Sequence, residues 1–362
     1  MRGLTFHGNG DVRVEEVPDA SIEQPTDAVV RVTMAAICGS DLHVLQSGEA
    51  FGFAPGARLG HEFIGVVEEV GSDVHTVSPG DRVAVAAGVS CGDCVYCQEG
   101  KRYACTRMSM FGWAPRLWRH GGDVQGGQSQ FARVPLADST LFRVPDEIAS
   151  PERQATLLPL VDVMSTGWHG LISGGAGPGC DVAVIGDGAV GLSAVHCARA
   201  IGARSIICMG HHDDRLTLAL RLGATHTVTT RNPDEIRELV REATDGHGAH
   251  VVVDTISSEA SMQGAHAAVR AGGSIACLGM DHFKGQVPAI NWYDQFVRNI
   301  TVTGGLIPMG HYIPALMGLA ARGEVDPAPM LTTRLGLDDA PEGYRMMAGR
   351  APGVLKVALE FG

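Results

Sequence analysis

The chain has 362 residues, 45% of them hydrophobic and 19% charged, which is typical of a soluble globular protein with two domains. Its 28 basic and 40 acidic residues give a formal net charge of −12, which argues against partners such as nucleic acid or an anionic membrane. The sequence has no run of 18 apolar residues, and its first seven residues lack the apolar segment of a signal peptide, so we expect a cytoplasmic protein.

Residues 1 to about 155 consist of short alternating runs that are separated by Gly, Pro and Asp. Runs at 28–34 and 63–70 are examples, and a Ser-Pro-Gly-Asp turn at 78–81 precedes another run at 82–85. Turn signals roughly every ten residues between alternating runs are typical of antiparallel β-structure. The sequence therefore predicts a β-rich domain over residues 1–155.

Four cysteines lie close together within this β-rich part, in a stretch rich in Gly and polar residues. Cys91, Cys94, Cys97 and Cys105 have the spacing Cys-x2-Cys-x2-Cys-x7-Cys. Four thiolates at this spacing can complete a tetrahedral shell around one zinc ion and leave no open position, as structural zinc sites do. A disulfide framework does not fit a chain for which we expect a reducing compartment. We predict a structural zinc site here.

From about residue 180, predicted strands alternate with predicted helices. The strands are at 182–186, 205–209, 251–256 and 274–278, and the helices are at 189–201, 215–222, 234–244 and 261–270. Such alternation predicts βαβ units on a doubly wound parallel sheet, here a Rossmann domain over residues 156–304. After residue 300 we predict a strand at 301–303, a helix at 312–321 and a strand at 354–359. We expect this tail, residues 305–362, to complete the first domain.

A glycine motif joins the first predicted strand of this region to the helix that follows. It has the pattern Gly-x-Gly-x-x-Gly and comprises Gly186, Gly188, Ala189, Val190 and Gly191. The first glycine permits a tight turn, the second lets the backbone approach a pyrophosphate, and the third lets helix and strand pack closely. A glycine-rich turn in another α/β protein is the alternative. The βαβ context favours a dinucleotide site.

The end of the second strand distinguishes NAD from NADP. NAD sites usually place Asp or Glu there, but this chain has Gly210, nineteen positions after the last glycine of the motif. Gly210 leaves room for a 2′-phosphate, so NADP(H) is favoured. The residues that could donate hydrogen bonds to such a phosphate are His211, His212 and Arg215. The alternative stays open that Asp213 or Asp214 accepts from the ribose of NAD.

Two further motifs offer metal ligands from the β-rich part, Cys-Gly-Ser-Asp-Leu-His at 38–43 and Gly-His-Glu at 60–62. With the cysteine cluster, the glycine motif, Pro-Gly-Asp-Arg-Val at 79–83 and Gly-Val-Leu-Lys-Val at 353–357, the chain resembles the zinc-dependent alcohol dehydrogenases of the medium-chain dehydrogenase/reductase superfamily. The resemblance covers nearly the whole chain. It implies a GroES-like β-rich catalytic domain and a Rossmann nucleotide-binding domain.

The resemblance implies a catalytic zinc with three protein ligands and a fourth position open for a substrate oxygen or water. The matching ligands are Cys38, His61 and Asp162, and many family members have cysteine where this chain has Asp162. Exchanging thiolate for carboxylate keeps one negative charge and makes the ligand harder. Glu62 is expected to approach the zinc or to hold its ligands in place. A helix-capping Asp162 and a buried pair between Glu62 and an arginine are the alternatives.

The resemblance also implies a proton relay in which Ser40 takes the proton of the alcohol and His43 passes it toward solvent through the cofactor ribose. A turn-capping serine and a surface histidine are the alternatives. The presence of Ser40 favours interconversion of alcohols and carbonyl compounds. Phe111 and Trp113 occur where the family has residues lining the substrate pocket, although both could equally be ordinary core residues.

We therefore expect a zinc-dependent oxidoreductase that interconverts an alcohol and an aldehyde or ketone, with two zinc ions per chain and NADP(H) favoured over NAD(H). One alternative is an NAD-linked polyol or formaldehyde-type dehydrogenase, or a dismutase that retains its cofactor. Another is a non-catalytic, NADPH-binding zinc protein. The resemblance implies a small-molecule substrate and a homodimer or homotetramer formed through the edge of the nucleotide domain.

Overall fold

A computed structural model describes residues 1–113, 124–279 and 290–361, and its chain divides into two units. The first unit comprises Met1–Asp162 and Pro308–Gly362, and the second comprises Val163–Ile307. No helix in the described part of the chain is long and apolar enough to cross a membrane. The two candidate metal clusters belong to the first unit, and the glycine motif belongs to the second.

The N-terminal part of the first unit is mostly antiparallel β-structure. Its strands are β1 Arg2–Gly8, β2 Asp11–Glu16, β3 Ala28–Ile37, β4 Ala57–Arg58, β5 Glu62–Val70, β6 Arg82–Val85, β7 Gly88–Val89, β8 Ser109–Met110, β9 Phe131–Val134 and β10 Leu141–Arg143. Its helices are α1 Gly39–Phe51, α2 Val95–Gln98, α3 Ala137–Thr140 and α4 Gln154–Leu157. The long strands β3 and β5 pair antiparallel at the centre and bury most of their apolar side chains. The β-rich fold predicted for this part of the chain is therefore confirmed.

The second unit is built on a six-stranded sheet in the order β13-β12-β11-β14-β15-β16, with every pair parallel. Its strands are β11 Asp181–Ile185, β12 Ser205–Met209, β13 His226–Val228, β14 Ala249–Asp254, β15 Val269–Cys277 and β16 Thr301–Gly304. Its helices are α5 Val163–Ser173, α6 Ala189–Ile201, α7 Asp213–Leu222, α8 Pro233–Glu242, α9 Glu259–Ala268 and α10 Trp292–Arg298. The prediction of a Rossmann-type parallel sheet is confirmed. Its strands carry apolar runs because parallel strands of this kind are covered on both faces.

The C-terminal tail forms α11 Ile313–Ala321, β17 Thr333–Gly336, α12 Ala340–Ala348 and β18 Val357–Glu360. Strand β18 pairs antiparallel with β3 and parallel with β17, so the tail extends the main sheet of the first unit. The last strand begins later than the predicted 354–359. Gly353 has a φ of +76°, and the amide of Val354 donates to the carbonyl of Ala351, so these residues form a turn before the strand.

Candidate functional site

The first candidate metal cluster lies where two central strands of the first unit meet. Cys38 follows β3, while His61 and Glu62 stand at the start of β5. The two strands are antiparallel, with Ala36 opposite Glu62, so the end of one lies beside the start of the other. Asp162 follows the turn that ends at residue 161. Residues far apart in sequence thus converge at one end of the sheet.

One ligand atom from each of Cys38, His61, Glu62 and Asp162 lies within 4.8 Å of all the others. The Oδ2 atom of Asp162 is 3.5 Å from both the Cys38 Sγ and the His61 Nε2. Thiolate, imidazole and carboxylate are the ligands that zinc takes in proteins, so the donor set fits a zinc ion. Burial raises the pKa of the Cys38 thiol to about 11, and a bound divalent cation would keep that thiol ionised.

Glu62 forms a fully buried ion pair with Lys356, whose Nζ atom lies 2.8 Å from the carboxylate. The predicted alternative of a buried glutamate paired with a cation therefore applies in part, with a lysine in place of the arginine. Burial raises the pKa of Glu62 to about 7, while the charge of Lys356 acts to lower it. Lys356 belongs to the C-terminal motif at 353–357, but the motif does not indicate that Glu62 is its partner.

Buried polar side chains surround the imidazole of His61. The Oδ1 atom of Asp41 lies 3.3 Å from His61 Nδ1, which leaves Nε2 directed at the cluster. The other Asp41 oxygen accepts from the amide of Cys38 at 2.9 Å and from the amide group of Gln128 at 3.3 Å. Tyr344 in turn donates to Gln128 at 2.8 Å. A carboxylate that orients a ligating histidine is typical of metal sites.

Sequence reasoning assigned no role to Asp41, Gln128 or Tyr344. Asp41 lies within the 38–43 motif, and its acidic side chain was the one available signal. Gln128 and Tyr344 lie far along the chain, outside any recognisable pattern.

The structure places Ser40 at the first cluster, with its Oγ atom 3.3 Å from His61 Nε2. His43 follows three residues later on the same helix, α1, and is half-buried. Residues three apart on a helix are neighbours on its surface, so Ser40 and His43 lie on the same face of α1. Their roles in proton transfer stay a prediction.

The second candidate cluster contains the four cysteines that the spacing singled out. One sulfur atom from each of Cys91, Cys94, Cys97 and Cys105 lies within 4.8 Å of the others, and all four thiols are free. The sulfur of Cys91 lies 3.4 Å from that of Cys105 and 3.9 Å from that of Cys97. Zinc–sulfur bonds of about 2.3 Å imply tetrahedral edges of about 3.8 Å, so these distances fit a zinc ion and exclude disulfides.

Both aromatic residues that were predicted to line the substrate pocket pack as core side chains of the first unit. Phe111 is fully buried, and its ring lies edge-on to Phe63 with centroids 5.1 Å apart. Trp113 is buried against Phe51 and Phe53, and its ring centroid lies 6.4 and 6.3 Å from theirs. These contacts match the alternative of ordinary core residues. A substrate contact by either side chain stays a prediction.

The glycine motif of the second unit has the geometry of a dinucleotide turn. Gly186 directly follows β11 and has a φ of +110°, in the region that favours glycine. A Cβ atom on Gly191 would collide with the carbonyl oxygen of Gly186, so only glycine allows this packing. Gly188 precedes α6, and nothing lies within 4 Å of the place where its Cβ would be. Ala189 and Val190 form the first turn of α6. The backbone at Gly188 is therefore open on its Cβ side, as the approach of a pyrophosphate to the helix N-terminus requires.

The end of the second strand differs from the sequence-based expectation. Gly210 follows β12, but the room beside it is occupied, because a Cβ there would lie 2.5 Å from the Asp187 carboxylate. That carboxylate accepts from the amides of His211 at 2.7 Å and His212 at 2.9 Å. The expectation that Gly210 leaves free space for a phosphate is therefore corrected. Asp187, inside the glycine motif, was missed because the spacing rule examines only the end of the second strand.

The basic side chains at this turn have partners within the second unit. The His212 ring is 2.9 Å from Asp187, and a guanidinium nitrogen of Arg215 is 3.9 Å from the same carboxylate. Arg231 donates to the ring of His211 at 2.6 Å and was not recognised from the sequence. Two of the three predicted phosphate donors thus face a carboxylate.

Comparisons with known proteins show which family the chain resembles. The sequence model of the alcohol dehydrogenase GroES-like domain family matches residues 24–146. The sequence model of the zinc-binding dehydrogenase family matches residues 189–322. A zinc-type alcohol dehydrogenase-like protein of Bacillus subtilis is 30% identical over 99% of this chain and 100% of its own. A probable zinc-binding alcohol dehydrogenase of Mycobacterium tuberculosis is 35% identical over 99% of this chain and 88% of its own. The solved alcohol dehydrogenase from Thermus sp. ATN1 superposes with a TM-score of 0.90, at 33% identity and 99% coverage of both chains.

Two further similar proteins have descriptions that name a substrate or a bound cofactor. A sorbitol dehydrogenase of Bacillus subtilis is 32% identical over 77% of this chain and 75% of its own. A zinc-binding dehydrogenase of Sinorhizobium meliloti, solved with NADP bound, is 28% identical, covers 99% of both chains and has a TM-score of 0.82.

A β-rich unit with two metal-ligand clusters, carried on one chain with a dinucleotide-type parallel sheet, defines a metal-dependent oxidoreductase. The chain belongs to the zinc-dependent alcohol dehydrogenases of the medium-chain dehydrogenase/reductase superfamily.

Proposed function

We propose that this enzyme interconverts an alcohol and the corresponding aldehyde or ketone, and that Cys38, His61 and Asp162 hold its catalytic zinc. The observation that carries the proposal is the convergence of these three side chains beside the Ser40 hydroxyl. When bound, zinc supplies a Lewis acid for the substrate oxygen, and the dinucleotide supplies or accepts the hydride. Cys91, Cys94, Cys97 and Cys105 would hold a second, structural zinc.

The side chains around the first cluster then have distinct tasks. Ser40 accepts the hydroxyl proton of an alcohol as its own proton passes to His43, because an imidazole nitrogen can both accept and donate a proton. Asp41 holds His61 in the orientation that directs Nε2 at the cluster. Lys356 balances the charge of Glu62, so the cluster does not carry an uncompensated buried carboxylate.

The glycine motif of the second unit would bind a nicotinamide dinucleotide. The sequence-based preference for NADP(H) draws support from Arg215 and Arg231 near the turn and from the relative solved with NADP. The carboxylate of Asp187 at the same turn opposes that preference.

Initial rates at 340 nm test the proposed reaction. Small aldehydes, aryl ketones and bulky cyclic ketones would be offered with NADH and, separately, with NADPH. We expect turnover with one of the two cofactors, and two zinc ions per chain by metal analysis. One zinc per chain and no consumption of either cofactor would instead favour a non-catalytic binding protein.

An NAD-linked polyol dehydrogenase is the second candidate, which the sorbitol dehydrogenase relative and the Asp187 carboxylate support. Polyols such as sorbitol, tested with NAD⁺ in the oxidative direction, distinguish it from a carbonyl reductase. Dinucleotide that remains bound through purification would indicate the dismutase variant of this candidate.

We further propose that the enzyme is a homo-oligomer joined through the β16 edge of the second unit. Strand β16 ends the sheet, and α10, just before it, exposes 72% of Trp292, 77% of Tyr293 and 81% of Phe296. Aromatic side chains next to a sheet edge favour contact with a second copy.

Replacing both Trp292 and Phe296 with glutamate is expected to convert the oligomer to a monomer, because charges cannot be buried unpaired in an apolar interface. Light scattering coupled to gel filtration measures the mass. The matched control is Leu220→Glu on α7, another exposed apolar residue, at 50%. A wild-type monomer, or an unchanged oligomer in the double variant, would contradict this interface.

A further inference from the structure

Asp187 occupies an unusual place at the candidate dinucleotide site of the second unit. It is the second residue of the glycine motif, yet its side chain reaches the end of the neighbouring strand, β12, and is only 7% exposed. Its Oδ2 atom accepts from two consecutive backbone amides, those of His211 and His212. We infer that Asp187 is the residue that selects the cofactor, and that it favours NAD(H) over NADP(H).

The Asp187 carboxylate lies where NAD sites place an acidic side chain. In Rossmann sites for NAD, an acidic residue at the end of the second strand accepts from the ribose hydroxyl. Gly210 holds that strand position here, and a Cβ on it would lie 2.5 Å from the Asp187 Oδ2. The Asp187 carboxylate therefore occupies the space into which an acidic side chain at 210 would extend. The end of β12 therefore has a negative charge beside it, and Asp187 of the adjacent glycine motif supplies that charge.

The hydrogen-bond donors at this turn already have an acceptor. A 2′-phosphate needs amides or cationic groups around it. The amides of His211 and His212 already donate to Asp187, and the ring of His212 lies 2.9 Å from it. A phosphate at this turn would have to displace the carboxylate from these donors and would be repelled by its charge.

The two arginines near this turn, Arg215 and Arg231, do not offset the negative charge of Asp187. The guanidinium of Arg215 lies 3.9 Å from the Asp187 carboxylate, so part of its charge is already balanced. Arg231 directs its Nε atom at the ring of His211. Burial acts to raise the pKa of Asp187, but hydrogen bonds from the amides of His212 and His211 hold it below its usual value. Asp187 is therefore an anion at neutral pH.

This inference rests on the proposed binding of a nicotinamide dinucleotide by the second unit, and binding measurements without substrate test it. Isothermal titration calorimetry on the full chain would compare NAD⁺ with NADP⁺, and AMP with adenosine 2′,5′-bisphosphate. The wild type is expected to bind NAD⁺ about tenfold or more tightly than NADP⁺, the effect of one hydrogen bond to a charged group. The two adenosine fragments should show the same order, because they carry only the end of the cofactor that Asp187 would contact.

Asp187→Ser releases both amides and removes the charge, so it should weaken NAD⁺ binding and strengthen NADP⁺ binding, each by about tenfold. Asp187→Asn removes the charge at constant shape. If the serine variant does not fold, the ratio of NAD⁺ to NADP⁺ affinity in Asp187→Asn tests the same inference. The matched controls are Asp213→Asn and Asp214→Asn, exposed acids in the first turn of α7, which should leave the ratio unchanged.

Tighter NADP⁺ binding by the wild type would overturn the inference. A change of ratio in the Asp213 or Asp214 variant, with none in the Asp187 variants, would also overturn it. Failure of the wild type to bind any dinucleotide would refute the proposed function together with this assignment. Binding of NAD⁺ without turnover of any substrate would leave the assignment supported and the proposed reaction contradicted.

Discussion

Replacing Asp162 with alanine, or Cys38 with serine, is expected to abolish turnover while the fold persists. Each change removes one of three protein ligands of the proposed catalytic zinc, and a Lewis acid supplies several kcal/mol of transition-state stabilisation. The rate should therefore fall by about a thousandfold or more. Metal analysis should show close to one zinc per chain, against the two that we expect in the wild type.

The chain offers a conservative control for this experiment. Asp162→Cys installs the residue that many family members have at this position, and it should retain both zinc ions and part of the activity. Ser40→Ala should lower the rate but keep two zinc ions, because it removes the proposed proton acceptor and leaves the ligands intact. Full activity with two zinc ions in Asp162→Ala would refute the ligand assignment.

Replacing Cys97 with serine is expected to damage stability instead. Cys97 is buried among the other three thiols of its cluster, and a structural zinc contributes directly to folding free energy. Loss of several kcal/mol should lower the thermal midpoint by about 10 °C or more. Differential scanning calorimetry and metal analysis on the same samples would measure both effects.

Cys180→Ser serves as the matched control, because Cys180 is a partly exposed free thiol outside both clusters. It should keep two zinc ions and change the midpoint by little. A Cys97→Ser protein with an unchanged midpoint and two zinc ions would show that these thiols hold no structural metal.

The features that the sequence predicted well are those encoded within one short segment. The cysteines of the second cluster lie within residues 91–105, so a single loop can bring them together and spacing alone indicates a tetrahedral site. The glycine motif is equally local, because a strand, a turn and a helix follow one another directly. The alternation of predicted strands and helices likewise predicted the parallel sheet.

The first cluster needed more than local pattern. Cys38 and His61 converge because β3 and β5 pair antiparallel, and only the register of that pair sets the distance between their ends. The resemblance to a known family supplied the ligand set, and the structure supplied the contacts around it. The partner of Glu62 could not be predicted, because Lys356 lies 294 residues away and reaches it through the pairing of β18 with β3.

The fold class and the four-cysteine cluster could be predicted from the amino-acid sequence alone, since the order of strands and helices and the spacing of cysteines express short-range geometry. The resemblance to known enzymes supplied the family and the ligands of the first cluster. Which charged side chains lie beside one another depends on the three-dimensional packing of the strands. Asp187 and Gly210 are separate features in the sequence, yet the parallel pairing of β11 with β12 places one carboxylate at both. A rule based on spacing examines one strand end, whereas the electrostatics of a site depend on every side chain that reaches it.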